Sequence, residues 1–300
     1  MSANGQRRFF SSATRRSAEA ALGRAWDSFH ELIKDWRAKA GLTMLLIIIG
    51  IGIIGPFVAP YSPFNTSFTA WQPPSSAHPF GTDYIGEDVL SWFLVGTATS
   101  LYVGFIIAVS AAALGTLVGV VAGYFGSIVD DALMRFVDVL LIIPGFPLLV
   151  ILSAYFPPTV TSTIIILSIL SWPFLSRVIR SQTLTLKQRP YIMASKLSGL
   201  GSMRIIWRDI IPNLLPLIFI NVIFLVVGAV VAQAGLAFFG LGDLKSVNWG
   251  TMLYWFEAQD GIVYDAWWWL LPPGFGILVL AVGANFLSNA VSAMTNKTRR

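Results

Sequence analysis

The sequence predicts an all-α membrane protein with six transmembrane helices, and two observations support this. The 300-residue chain is 55% hydrophobic and only 12% charged, whereas about a quarter of the residues in soluble domains are charged. Its apolar runs are long enough to cross about 30 Å of hydrocarbon, which takes about 20 helical residues. The predicted spans are 42–58, 101–124, 139–156, 160–175, 214–239 and 268–290.

The positions of Lys and Arg predict the orientation of these helices, because basic residues near span ends resist translocation. Of the twenty, eight precede the first predicted span, seven lie between the fourth and fifth, and three follow the sixth. Arg135 lies between the second and third spans, and only Lys245 falls on the opposite side. Six spans with both termini in the cytoplasm satisfy this distribution. Topology thus explains the net charge of +5, and we predict no nucleic-acid partner.

The segment before the first span predicts an amphipathic helix. Its apolar residues recur in steps of four and three and form one stripe: Leu22, Trp26, Phe29, Ile33 and Trp36. Helices of this kind with flanking basic residues commonly lie in the inner membrane interface. We therefore interpret it as an elbow leading into a membrane anchor that is retained. Packing of the same stripe against a partner subunit is the alternative.

The segment 61–97 is expected on the external side, with turns followed by a short helix from about Glu87. Four residues in it, His78, Asp83, Glu87 and Asp88, could contribute to a metal site. Because the segment has a single histidine and no second ligand cluster, helix capping and a solvated face explain these residues better. We therefore predict no metal site.

Tryptophans cluster in and after the connection 241–265. Trp249 and Trp255 lie within it, and Trp267, Trp268 and Trp269 follow it. Indole rings favour the membrane interface, so the position of these residues predicts an aromatic belt. A platform on which sugar rings stack is the alternative interpretation.

Catalytic motifs are missing from the chain. There is no GxxxxGK loop followed by Ser or Thr that would hold ATP, no HExxH, no GxSxG and no cysteine. The middle of each predicted span also lacks the charged residues that a proton-coupled or ion-coupled carrier would need. We therefore predict that the chain is not an enzyme and holds no cofactor. Any transport through it must draw its energy from elsewhere.

Neutral polar residues in the predicted spans are candidates for lining a translocation path. The candidates are Ser153, Ser171, Asn221, Gln233 and Asn285. Each of them could instead form a hydrogen bond between neighbouring helices, which contributes about 1 kcal/mol or less in a membrane. The sequence alone does not separate these two roles.

The segment 177–216 contains seven of the twenty basic residues. Its pattern predicts two short helices broken at residues 197–201, which read Leu-Ser-Gly-Leu-Gly. Gly199 can end the first helix with a positive φ angle and turn the chain back towards the membrane. A structured basic loop on the cytoplasmic side predicts a cytoplasmic partner.

This loop carries a resemblance to a known family. Met193-Ala194-Ser195, with Gly199 four residues beyond Ser195 and Pro212 thirteen residues further, resembles the EAA loop of membrane subunits of binding-protein-dependent ABC importers. Segments 78–91, 123–147 and 235–242, the last followed by Trp-Gly, resemble the C-type permease of dipeptide, oligopeptide and nickel importers. The resemblance covers about residues 40–293.

The resemblance implies a type I ABC importer permease fold in the cytoplasmic membrane of a prokaryote. In that family the helix before the glycine inserts into a groove on the ATPase, so the implied coupling residues are Met193, Ala194, Ser195, Lys196, Leu197, Gly199 and Pro212. The implied partners are the lipid bilayer, a homologous B-type permease, two ATPase subunits that bind ATP and Mg, and an external solute-binding protein. The implied solute is an oligopeptide, with an oligosaccharide or nickel as alternatives.

The chain departs from the family pattern in the loop, where Met193 stands at the position of the family's glutamate and Ser195 at that of its second alanine. A self-contained secondary transporter remains as an alternative of another class, although internal repeats and ionisable groups within the spans do not stand out. The expected divisions are an N-terminal arm with its elbow helix 1–41, a first helix 42–60, an external loop 61–97, a core 98–292 with the coupling loop 177–213, and a tail 293–300.

Overall fold

The computed structural model describes residues 34–297, with side chains as far as Val291. Within these residues the chain is helical, and its only β feature is an isolated bridge between Thr82 and Asp88. The helices are α1 (Trp36–Val58), α2 (Val89–Phe125), α3 (Ser127–Ile142), α4 (Gly145–Tyr155), α5 (Val160–Lys187), α6 (Pro190–Leu197), α7 (Ser202–Ile205), a π-helical segment (Ile206–Ile210), α8 (Ile211–Phe238), α9 (Trp249–Ala258) and α10 (Trp267–Lys297). The all-α prediction is confirmed, whereas the elbow helix lies mostly outside the described residues.

Five helical stretches are long and apolar enough to cross a membrane: α1, α2, α5, Ser202–Phe238 and α10. The third predicted span, 139–156, does not form one continuous helix. α3 and α4 occupy this region, and the chain bends by 86° between them. The described residues therefore contain five candidate spans, and a sixth if the bent pair counts as one.

Proline explains the break in the predicted 139–156 span. Pro144 lacks a backbone N–H and cannot continue a helix, and its ring disfavours helical geometry in the residue before it. Ile143 accordingly adopts an extended conformation with φ −71° and ψ 127°. The hydropathy pattern alone did not reveal this, because both sides of the break are apolar.

The helix expected from about Glu87 and the second predicted span form a single helix, α2, of 37 residues. Asp88 is its N-cap, and the Asp88 side chain accepts a hydrogen bond from the Ser91 backbone N–H at 2.8 Å. This contact satisfies one of the four N–H groups that a helix start leaves without an intrahelical partner. The prediction of two separate helices here was wrong.

Residues 47–281 form one compact unit. In it α2 and α5 run in the same direction along a stripe of three glycines, Gly115, Gly119 and Gly123. A Cβ atom at Gly119 would lie 2.5 Å from the backbone oxygen of Ser176, so the backbones meet closely, as small residues at helix interfaces permit. α8 runs the opposite way and contacts α2, where a Cβ at Gly104 would lie 2.6 Å from the Val230 side chain.

We name the two ends of this unit by their charges. The acidic end contains residues 59–88 and 239–266, and the basic end contains residues 126 and 188–210. Helices α2, α5 and α8 connect the two ends. The basic end is therefore joined directly to the helices that form the core of the unit.

The described residues on either side, 34–46 and 282–297, belong to a second compact unit. A Cβ at Gly41 would lie 2.6 Å from the backbone oxygen of Gly283. Trp36 packs edge-on against Phe286, with ring centroids 5.7 Å apart. The first and last helices thus approach each other closely within this unit at a pair of glycines.

Candidate functional site

At the basic end, α6 is a short helix with well-defined ends. Pro190 stands at its start, where a missing N–H costs nothing, and Arg189 before it is extended. At its other end, the Leu200 N–H donates to the Ser195 carbonyl at 3.2 Å and the Gly199 N–H to the Lys196 carbonyl at 3.0 Å. These two bonds form a Schellman motif. Gly199 has φ +76°, which confirms the prediction that it ends the helix with a positive φ angle.

One face of α6 packs onto the core. Ile192 is fully buried in a cluster that includes Tyr124 from α2 and Ile205, Ile206 and Ile210 from the residues that lead into α8. The Lys196 ammonium lies 5.2 Å from the centroid of the Tyr124 ring, a cation–π distance. This face therefore attaches α6 to two of the long helices.

A polar contact supports the same face. The Ser195 hydroxyl donates a hydrogen bond to Asp209 Oδ2 at 3.0 Å. Asp209 lies in the π-helical segment Ile206–Ile210, and its side chain is only 16% exposed. Its ion-pair partner among the described residues is Arg208, whose Nε lies 3.9 Å from Asp209 Oδ1, beyond hydrogen-bond distance. The Ser195 hydroxyl is therefore the main hydrogen-bond donor to this carboxylate.

The opposite face of α6 consists of Met193, Ala194 and Leu197, which we call the apolar face. Leu197 is 89% exposed and Met193 is 50% exposed. Nearby on the same end, Met203 and Trp207 are also exposed. An exposed apolar cluster rimmed by polar residues is typical of an interaction surface.

Two ion pairs join α5 to α3 near the basic end. The guanidinium of Arg180 forms a bidentate pair with Asp130, both hydrogen bonds being 2.5 Å long. Arg177 pairs with Asp138. The sequence did not predict the pair between Asp130 and Arg180. Residues separated by 50 positions in the chain cannot be paired from local pattern alone.

Two of the candidate path residues come together. Ser171 and Asn221 line one cavity of about 290 Å³ between α5 and α8, together with Gly228 and several apolar side chains. Asn221 Nδ2 donates a hydrogen bond to the Leu217 carbonyl at 2.8 Å. The amide nitrogen of Asn221 therefore has a hydrogen-bond partner within its own helix.

The other candidate path residues lie elsewhere. Ser153 and Gln233 are buried, and each has a side-chain oxygen without a hydrogen-bond partner among the described residues. Gln233 lines a separate cavity of about 10 Å³ that also touches Thr163 and Asp243. In the second unit, Asn285 Oδ1 accepts a hydrogen bond from Asn289 at 2.8 Å.

At the acidic end, the polar residues of 78–88 form hydrogen bonds with one another. His78 Nδ1 lies 2.8 Å from Asp88 Oδ1, and both side chains are buried. Asp83 Oδ1 accepts hydrogen bonds from the backbone N–H groups of Ile85 and Glu87, at 3.0 and 2.7 Å. No group of three or more acidic or histidine side chains suited to a metal ion occurs in the described part of the chain. Asp88 is a helix cap, as expected. The expected solvated face was wrong, because all four side chains are buried.

Two buried carboxyl groups lie side by side in this segment. Burial, together with the neighbouring Asp83 carboxylate, raises the pKa of Glu87 to about 8. Burial raises the pKa of Asp83 as well. The pair therefore holds a proton near neutral pH, because two adjacent buried carboxyl groups do not both ionise readily.

Three of the five tryptophans between 249 and 269 serve neither of the roles considered from the sequence alone. Trp249, Trp268 and Trp269 are buried. Trp249 Nε1 donates to Thr97 Oγ1 at 3.1 Å and Trp268 Nε1 to the Thr82 carbonyl at 3.2 Å. These three rings belong to the core of the acidic end, and burial excludes them from both an interfacial belt and a sugar-stacking platform.

The fold and the basic end define a class of protein that comparisons with known sequences also identify. Residues 115–297 match the family of binding-protein-dependent transport system inner membrane components. The chain belongs to this family and is a multi-pass membrane permease subunit of an ABC importer. Residues 24–74 match the N-terminal transmembrane domain of oligopeptide transport permease C, which places the chain in the C-type group of the dipeptide and oligopeptide subfamily.

Individual relatives agree with this assignment. The chain is 34% identical over 286 residues to the dipeptide transport system permease protein DppC of Bacillus subtilis, covering 93% of this chain and 88% of the relative. It is 32% identical over 250 residues to the probable D,D-dipeptide transport system permease protein DdpC of Escherichia coli, covering 83% of each chain.

A solved structure has the same fold. The inward facing MetNI methionine ABC transporter includes a chain that aligns with a TM-score of 0.53 and 20% identity, covering 67% of this chain and 96% of that one. The type I importer permease fold expected from the resemblance is confirmed.

Proposed function

We propose that this chain forms half of the translocation path of an ATP-driven peptide importer, and that α6 couples the path to an ATPase subunit. The observation that carries the proposal is the exposed apolar face of a helix whose other face is buried against α2 and the residues that lead into α8. Such an element can transmit a movement, because it contacts a partner on one side and long helices on the other.

The composition of the apolar face specifies the groove that would receive α6. Met193 stands at the position where the coupling motif described above has glutamate. The centre of the apolar face is therefore uncharged. The groove on the ATPase should therefore be apolar opposite Met193 and Leu197. Arg204 and Arg208, which lie on the same end of the unit, favour acidic residues on its rim.

The orientation and partners follow from the same proposal. The basic end faces the cytoplasm, in agreement with the distribution of Lys and Arg. A homologous B-type permease supplies the other half of the path, and two ATPase subunits bind and hydrolyse ATP with Mg. An external solute-binding protein delivers solute to the acidic end. This chain holds no nucleotide, metal or other cofactor and performs no chemistry.

Peptides are the proposed solutes. The permeases of B. subtilis and E. coli that resemble this chain are named for dipeptide and D,D-dipeptide transport. The cavity lined by Ser171, Asn221 and Gly228 contains no charged side chain, which suits the neutral amide groups of a peptide backbone. We assign Ser171 and Asn221 to the path. Ser153, Gln233 and Asn285, which lie outside this cavity, are the weaker candidates for it.

Replacing Leu197 with Asp tests the coupling proposal. A charge on the apolar face should abolish copurification of the ATPase subunits with the permease pair, whereas insertion in the membrane should be unaffected. Val263→Asp is the matched control, because Val263 is 79% exposed but lies at the acidic end. Normal ATPase copurification with the Leu197→Asp variant would contradict the proposal.

Filling the cavity lined by Ser171 and Asn221 tests whether it belongs to the translocation path. A Cβ at Gly228 meets no other atom within 4 Å, so Gly228→Leu should be accommodated while its side chain occupies the cavity. We expect intact assembly and ATP hydrolysis but loss of uptake of a labelled dipeptide mixture. Gly50→Leu is the control, since a Cβ at Gly50 also meets nothing within 4 Å. Unchanged uptake with Gly228→Leu would remove this cavity from the path.

A further inference from the structure

The contact between Ser195 and Asp209 joins α6 to the residues that lead into α8. α6 is eight residues long and is followed by a glycine turn. A helix this short has few contacts that hold its rotation about its own axis. Each such contact therefore influences the direction in which the apolar face points.

Ile192 and Ser195 are three residues apart and lie on the same face of α6. Ile192 is anchored by apolar burial, which is not directional. The hydrogen bond from Ser195 to Asp209 is directional and involves a carboxylate, which makes it stronger than a neutral hydrogen bond. The two contacts together restrict α6 to one rotation.

The position of Asp209 depends on the π-helical segment. In this segment the backbone departs from regular α-helical spacing, and such departures are frequent at functional sites. Asn213 Nδ2 donates to the Asp209 carbonyl at 2.6 Å. The carboxylate is thus presented to α6 from a backbone that is itself held by the first turn of α8.

The geometry points to Ser195 as a positioning residue: its hydrogen bond to Asp209 fixes the rotation of α6 so that Met193 and Leu197 face the ATPase. This inference rests on the proposed function of α6 as the coupling helix. Ser195 does not itself contact the partner. It acts through the orientation of the two apolar side chains on the opposite face.

The test compares Ser195→Thr with Ser195→Val, which have nearly the same shape but differ in the hydroxyl group. The permease pair in lipid nanodiscs is titrated with the ATPase subunits, and the dissociation constant is measured together with the Tm of the permease pair alone. We expect Thr to retain the wild-type dissociation constant and Val to weaken binding by about fivefold, the factor for one lost hydrogen bond of about average strength. The Val variant should lower the Tm by no more than about 4 °C, so that the permease pair stays folded and the weaker binding reports the orientation of α6.

Two further variants identify the contact. Ser198→Ala is the matched control, because the Ser198 hydroxyl donates to the Ala194 carbonyl in the same helix at 2.9 Å, and it should leave binding unchanged. Asp209→Ala should weaken binding as much as Ser195→Val, and the double variant should be no weaker than either alone.

Equal dissociation constants for the Thr and Val variants would overturn the inference, as would additive effects of Ser195→Val and Asp209→Ala. These outcomes differ from failure of the coupling proposal itself. If Leu197→Asp left ATPase binding intact, α6 would not be the docking element. If Leu197→Asp abolished binding while Thr and Val behaved alike, only the positioning role of Ser195 would be excluded.

Discussion

The two ends of the 47–281 unit differ in whether their side chains find contact partners within the chain. At the acidic end, the polar groups of 78–88 are buried and hydrogen-bonded within the same chain. At the basic end, α6 is anchored on one face but exposes Met193 and Leu197 on the other. The polar groups of 78–88 thus find their hydrogen-bond partners within the chain, whereas the apolar face of α6 is not covered by it. Stability and interaction should therefore respond to mutation at opposite ends.

The largest effect on stability is expected from Asp88→Ala at the acidic end. This change removes the helix cap of α2 and leaves His78 without its buried partner. Loss of the cap costs about 1 kcal/mol, and leaving a buried polar group without its partner costs about 1–3 kcal/mol more. Thermal unfolding of the purified permease should show a large fall in Tm. Glu257→Ala is the control, because it removes an exposed carboxylate from the same end. A Tm no lower than that of the control would show that the acidic end is not held by these contacts.

A smaller effect at the same end depends on pH. The raised pKa of Glu87 means that the folded state holds a proton that the unfolded state releases at lower pH. The associated stability is complete below about 4.5 and is lost as the pH rises towards about 8. Wild-type Tm should fall over this interval, and Glu87→Gln should flatten the curve because an amide stays neutral.

The exposed Glu257 provides the control for this pH dependence as well. Glu257→Gln should leave the slope of Tm against pH unchanged. If Glu87→Gln retained the wild-type slope, the shared proton of Asp83 and Glu87 would not be the cause.

Gly199→Ala tests the turn after α6 at the basic end. A Cβ at this position meets nothing within 4 Å, so the cost comes from the φ angle of +76° alone and should be about 1 kcal/mol. Hydrogen exchange at the Leu200 amide, which closes the Schellman motif, should become faster. Gly201→Ala is the matched control, because Gly201 has an ordinary φ of −65° and equal space. Equal exchange in both variants would contradict the role of the positive φ.

The smallest effect on stability is expected from Leu197→Ala. Leu197 is 89% exposed, so its truncation should change the free energy of unfolding by less than about 0.5 kcal/mol. Binding of the ATPase subunits, measured on the same preparation, should nevertheless weaken clearly. A large loss of Tm without a loss of binding would reverse the proposed contrast between the two ends.

Part of this architecture could be predicted from the sequence, and particular prolines show where prediction stops. Pro173 and Pro216 lie inside continuous helices, whereas Pro144 separates α3 from α4. Proline is tolerated in membrane helices where neighbouring groups satisfy the freed backbone atoms. Whether such neighbours are present depends on packing, so the hydropathy pattern could not distinguish these positions.

The candidate site, like the fold, could be predicted in part from the sequence. The short helix α6 and the turn at Gly199 follow from residues close together in the chain. The second short helix expected in 177–216 was wrong, because Ser202–Phe238 runs on as one helical stretch. Asp209 was missed because nothing in the local sequence links it to Ser195, fourteen residues earlier. Among the path candidates, Ser171 and Asn221 meet in one cavity, and their separation of fifty residues hides this from a sequence pattern.

The sequence by itself determined the all-α class, the location of most spans, the unequal charge of the two ends and the glycine turn that ends α6. These features depend on hydropathy, charge and backbone preference over neighbouring residues. The tertiary structure alone decided the bend at Pro144, the pairing of Asp130 with Arg180, the burial of three tryptophans and the face of α6 that stays exposed. Each of these depends on which distant residues come into contact, and that is determined by the packing of α2, α5 and α8 against one another.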